Sequence, residues 1–147
     1  MTPRFRLLTR VERTRKRLRD AAAGELTAAE IAAQQANEHL EHVHAEIEQS
    51  YDDASQNLGK AESVNAFFDF EYARRAATHR LVSANEERRK SEQHSAARRE
   101  VLVGKEQELR RAEKLLDRER DHVAEVQNKL EQKQSDDRVA TQYRNKP

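Results

Sequence analysis

An all-α fold, two long helices closed into an antiparallel coiled-coil hairpin, is predicted by three observations. Apolar and small residues recur in steps of three and four through nearly all of the 147 residues, the pattern breaks once near the middle, and the charge changes sign on either side of that break. Steps of three and four place residues on one stripe of an α-helix, and a sustained narrow stripe is the seam of a coiled coil.

In the first arm the seam reads Leu8, Val11, Leu18 and Ala22. After a one-residue slip it continues through Leu26, Ala29, Ala33, Ala36, Leu40, Val43, Ile47, Ala54 and Leu58. The second arm needs no slip: Phe70, Ala77, Leu81, Ala84, Leu102, Leu109, Ala112, Leu116, Val123, Val126 and Leu130. Between the arms lies Leu58-Gly59-Lys60-Ala61-Glu62-Ser63-Val64-Asn65. Gly59 permits left-handed backbone at a helix end, and Ser63 or Asn65 can cap the next start. The reading is one elongated domain over 1–147: a helix over about 4–60, a turn over about 60–65, a helix over about 66–140 and a frayed C-terminal tail. At about 1.5 Å per residue the arms reach about 85 and about 110 Å, so the second overhangs the first.

Composition excludes a compact domain. Charged residues make up 37%, hydrophobic ones 35%, and mean hydropathy is -1.13; that is too little apolar surface for a globular core but enough for a two-helix seam. Disorder is the competing reading. Against it stand the phasing of the apolar residues and the placement of both prolines, Pro3 and Pro147, at the ends. No cysteine is present, which removes disulfide and thiolate chemistry. No apolar run approaches the ~20 residues of a membrane span and no secretory signal opens the chain, so a cytoplasmic protein is expected.

Charge tests the fold-back independently. Residues 25–62 hold nine acids and one base, whereas 71–104 hold eight bases and five acids. Residues 1–20 hold eight bases against Glu12 and Asp20, and 105–125 hold six bases against seven acids. Antiparallel pairing sets each imbalance beside its complement. In that register Arg88, Ser91, Ser95 and Arg98 face inward against the stretch Ala28 to Ala36, where small residues allow close approach while arginine stems snorkel outward. Firmer packing is expected for Leu40–Ile47 against Leu81–Ala84, and for Leu8–Leu18 against Leu109–Val123.

Tyr51, Phe67, Phe68, Phe70 and Tyr72 cluster about the turn, and only Phe70 falls clearly on the seam. Phe67, Phe68 and Tyr72 cannot all be buried by two helices. They are either partner anchors or a plug for the end of the coil.

Other chemistry finds little footing. His39, Glu41, His42 and His44 imitate a metal cluster, but only His39 and His42 share a face, so no metal or other cofactor is expected. No phosphate-binding glycine loop or nucleophile elbow occurs, so no catalytic residue is assigned. The basic stretch RFRLLTRVERTRKRLRD precedes a coiled-coil pattern as a DNA-binding basic region would. Its inner face is occupied by seam residues, however, and it lacks the Asn and Ala spacing that reads bases, so nucleic acid is not an expected partner.

The opening RFRLLTRVERTRKRLRDAAAGEL, the tip NAFFDFEY and the close LEQKQSDDRVATQYRN together resemble the FliJ family of flagellar export proteins over most of the chain. The resemblance implies a non-enzymatic stalk similar to that of rotary ATPases. It would insert its open end into a hexameric export ATPase, couple that ring to a membrane export-gate protein and escort export chaperones, touching the inner membrane only through partners at the flagellar base. By that analogy Arg4, Arg6, Arg10, Arg13, Lys133 and Arg138 serve the ATPase end, and Leu40, Val43, Ile47, Phe67, Phe68, Phe70 and Tyr72 the gate or chaperone end. The equivalent stalk protein of virulence type III secretion and a coiled-coil scaffold without a secretion role remain alternatives. A parallel homodimer kinked near residue 63 would bury the same stripe.

Overall fold

The computed structural model describes residues 2–60 and 64–144. Two helices account for nearly all of them: α1 over Pro3–Leu58 and α2 over Val64–Arg144. The boundaries depart slightly from expectation, since α1 stops at Leu58 rather than about 60 and α2 runs past 140 to Arg144. The residues group into two compact units, Ala22–Leu102 and Met1–Ala21 with Val103–Pro147. In each, a segment of α1 lies antiparallel to a segment of α2.

Within Ala22–Leu102 the core is Val43, Ile47 and Ala84, with Leu40, Tyr51, Ala77 and Leu81 packed against it. This is the expected pairing of Leu40–Ile47 with Leu81–Ala84. Farther along, Ala22, Ala29 and Ser95 are buried, and Arg88, Ser91 and Arg98 are half-buried at inward positions. Arg98 reaches out to Glu25 at 2.7 Å and Arg88 to Glu92 at 2.9 Å, so the arginine stems do lie along the seam with their heads outside. Glu46 pairs with Arg80, Glu30 with Arg99, and Glu25, earlier in α1, with Arg98, later in α2. In all three pairs the acid comes from α1 and the base from α2, as the charge imbalance predicts.

The first arm does not end as expected. Gly59 is not left-handed. Instead its N–H donates to the Ser55 carbonyl at 3.2 Å and the Lys60 N–H donates to Asn57 at 3.1 Å, so the helix closes by tightening its last turn, which satisfies carbonyls without αL backbone. Asn65 lies inside the first turn of α2 rather than capping it, and Ser63, the other cap candidate, lies outside the described residues, as do 61, 62 and 145–147.

The unit formed by Met1–Ala21 and Val103–Pro147 opens with an N-cap. The Phe5 N–H donates to Thr2 Oγ1 at 3.1 Å and Pro3 occupies the first helical position, where its missing N–H costs nothing. Leu109, Ala112, Leu116 and Glu119 are buried on α2. On α1 the half-buried, inward positions are Phe5, Leu8, Glu12, Arg15 and Arg19.

This corrects the expected slip. Leu8, Ala22 and Ala29 are spaced by whole heptads, so an unbroken helix carries 8, 12, 15, 19 and 22 to the inside together and swings Val11 and Leu18 to the flank, where they are 39% and 41% exposed. Following the apolar residues alone produces the slip. An unbroken heptad instead accepts charged residues whose heads can leave the seam: Arg15 reaches Glu108 at 2.6 Å, and Arg4 reaches Glu119 at 3.2 Å. Here the bases come from α1 and the acids from α2, the reverse of the other unit and the sign that composition predicts.

Candidate partner-binding surfaces

The aromatic cluster begins the first turns of α2, where α1 ends at Leu58 and leaves outward-facing positions uncovered. Phe67, Phe68 and Tyr72 are 53%, 63% and 76% exposed. Phe67 and Phe68 meet edge to face, ring centroids 6.2 Å apart, a geometry that makes two adjacent rings one rigid apolar knob. Phe70, by contrast, is half-buried and tilts against Tyr51 with centroids 6.0 Å apart. Below it Ile47, Tyr51, Ala54, Ala73 and Ala77 line a shallow apolar groove.

The structure divides the residues assigned by resemblance to this end. Val43 and Ile47 are buried core, Leu40 packs on them, and Phe70 belongs to the seam; these four hold the hairpin. The outward surface consists of Phe67, Phe68 and Tyr72.

Around this surface the α1 segment is acidic, and one carboxylate is tuned. The Arg80 guanidinium donates to Glu46 and, with weaker help from His42 and His39, holds the Glu46 carboxyl below the usual carboxylate range. His42 Nε2 lies 3.0 Å from the same carboxylate, one helical turn away. His42 is thus engaged in a surface pair, and among the described residues no group of three or more His, Cys, Asp or Glu converges to hold a metal ion.

In the other unit Arg6, Arg10 and Arg13 are exposed along α1, and Lys133 and Arg138 are exposed on the part of α2 that runs beyond the start of α1. Arg4 is different. Its side chain is 75% exposed, yet its Nε pairs with the carboxylate of Glu119, which is buried. Thr2 Oγ1 donates to the other oxygen of that carboxylate at 3.2 Å, so the hydroxyl caps α1 and ties it to α2 at once. Neither Thr2 nor Glu119 is among the apolar residues that mark the seam in the sequence. The Thr-Pro pair at the helix start was a legible signal for the first; nothing in a charged stretch distinguished Glu119 from its neighbours.

Among the described residues no helix is long and apolar enough to cross a membrane. Compared with family models, residues 5–147 match the one described as Flagellar FliJ protein. No curated protein and no solved structure matches.

Proposed function

Because the chain belongs to the flagellar FliJ family, we propose that it serves flagellar protein export as a non-catalytic stalk of the hexameric export ATPase. It couples that ring to the membrane export gate and escorts export chaperones, and it is held at the cytoplasmic face of the inner membrane by these partners. The observation that carries this reading is the run of α2 beyond the start of α1. Thr2 and Arg4 meet α2 at Glu119, and the helix continues to Arg144, about seven further turns, with exposed side chains from Ala124 onward. A single helix of that length beside a basic helix start suits insertion into the pore of a ring, since isolated helices with exposed apolar residues gain most of their stability from a partner.

Arg6, Arg10 and Arg13, with Lys133 and Arg138, then supply the cationic contacts to the ATPase, and Phe67, Phe68 and Tyr72 supply apolar anchors for the gate or a chaperone. ATP hydrolysis by the purified export ATPase tests the first half, measured with the chain, without it, and with the Arg6→Glu, Arg13→Glu double variant. Stimulation by the native chain that is lost in the variant is expected; no stimulation at any ratio overturns the stalk assignment. For the second half, Phe67→Ala with Phe68→Ala is expected to abolish gate binding and motility while leaving ATPase stimulation intact.

A further inference from the structure

The two flanks of the seam in the unit formed by Met1–Ala21 and Val103–Pro147 differ in kind. Residues that follow an inward position, Thr9 and Arg13 on α1 and Glu113, Asp117 and Arg120 on α2, line one groove. That flank is polar and carries both signs, with Arg120 and Asp117 3.3 Å apart. Residues that precede an inward position fall on the opposite flank. There α1 presents Leu7, Val11 and Leu18, and α2 presents Leu115, at 61%, 39%, 41% and 47% exposure. Leu7, Val11 and Leu18 again step by four and seven, the spacing of a second coiled-coil stripe left without a helix to cover it.

The rim of this stripe is cationic. Arg111 and Arg118 precede inward positions on α2 and so share its flank, while Arg10 and Arg17 of α1 and Lys114 of α2 lie in the next row out. None of the five side chains makes an ion pair among the described residues. Two acids lie in the same rows: Glu108, already shared by Arg15 and Lys105, and Asp121, one heptad beyond Lys114, so the rim carries five bases to two acids.

We propose that this flank is the docking surface for an amphipathic helix of a partner protein, one with an apolar stripe of three-four spacing and acidic residues along its edges. The apolar stripe would form a three-helix seam with Leu7, Val11, Leu18 and Leu115, and its edges would meet the arginines, which choose the partner and its orientation. A second copy of this chain is a poor occupant. Face-to-face pairing sets two cationic rims together, and the acidic stretch over 25–58 spends its own stripe in its own seam, leaving only Ile31 as a large exposed apolar residue there. A lipid surface fits less well too, because no Trp or Phe projects among Leu7, Val11, Leu18 and Leu115. The inference rests on other residues than the ATPase assignment except at Arg10, since Arg6 and Arg13 follow inward positions and lie on the other flank.

Nuclear magnetic resonance of the methyl-labelled full chain tests this, with a synthetic amphipathic peptide carrying Leu along its stripe and Glu along its edges, a second with Lys at the edges, and a scrambled Glu peptide. Saturable shifts at Leu7, Val11, Leu18 and Leu115 are expected with the first peptide alone, and Arg111→Glu with Arg118→Glu is expected to weaken it about tenfold or more. Val11→Ser with Leu18→Ser should weaken it similarly at unchanged helicity, because neither side chain is core. Equal binding of the Lys or scrambled peptide, shifts confined to other residues, affinity for anionic phosphatidylserine vesicles in place of the peptide, or a doubled solution mass that the Ser variant abolishes would each overturn the proposal.

Discussion

Arg4 and Glu119 form an unequal ion pair: the arginine side chain is 75% exposed and the carboxylate 7%. Burying a carboxylate has a desolvation cost that a partner in water, 3.2 Å away, offsets only partly. Removing the acid leaves no stranded charge, because Arg4 and the Thr2 hydroxyl both reach solvent. Glu119→Leu is therefore expected to raise stability by about 1 kcal/mol or more, read as a higher denaturation midpoint with unchanged slope. Thr2→Val removes the cap and the tie together and should lower stability by about 1 kcal/mol, with faster amide exchange at Phe5 as its local signature.

Acidification should loosen the unit Ala22–Leu102 through Glu46. The hydrogen bond from Arg80 is the main cause of the depressed carboxyl, followed by the charges of His42, Arg80 and His39. A group whose folded pKa lies below its unfolded value contributes stability above the unfolded value and loses it as pH falls through the folded one. The loss should therefore begin below about pH 4.5, the ordinary glutamate value. In Glu46→Gln the thermal midpoint should vary less between pH 6 and pH 3. An identical pH dependence in the two proteins would mean that the Arg80 contact contributes nothing in solution.

At the end of α1, Gly59→Ala should be tolerated. A left-handed helix end would reject a side chain, but the φ of Gly59 is not positive, and a Cβ there would meet only the Gln56 and Ser55 carbonyls at 3.6 and 3.7 Å, ordinary contact. Alanine also narrows the unfolded ensemble, so a gain of about 0.4–1 kcal/mol is expected. Destabilisation by alanine would indicate that the turn adopts left-handed backbone in solution.

Much of this fold was legible because coiled coils encode themselves redundantly. Val43, Ile47 and Ala84 announced the seam by spacing, and Glu46 with Arg80 announced the antiparallel sense by charge. The reading failed where those two signals separate. Near the N-terminus Val11 and Leu18 invite one phase while Leu8 and Ala22 demand another, and hydropathy alone does not reveal that arginine stems at 15 and 19 can line a seam with their heads outside. Nor does it reveal that the aromatics of the tip divide, Phe70 inward and Phe67, Phe68 and Tyr72 outward, until the helix start at Val64 fixes their angles. The partner surfaces were the least legible, because a residue's availability depends on what its neighbours already bind: Arg4 and Arg6 look alike in sequence, yet only Arg4 is tied to Glu119.

The phase of α1 in the unit formed by Met1–Ala21 and Val103–Pro147 can be decided by truncation. Leu116 is 5% exposed, whereas Val11 and Leu18 lie at 39% and 41%. Leu116→Ala empties a filled seam position and should cost about 2–4 kcal/mol. Val11→Ala and Leu18→Ala remove flank groups still in contact with water and should cost under about 1 kcal/mol each. The converse substitution is more decisive. Arg19 occupies an inward position where its Nε is buried without a hydrogen bond, beside Asp20 at 2.8 Å, so Arg19→Leu should raise the denaturation midpoint, as apolar residues at seam positions do. If Arg19→Leu is neutral while Leu18→Ala costs as much as Leu116→Ala, α1 lies in the slipped phase in solution, and the apolar flank assigned to its partner would be spent inside the hairpin.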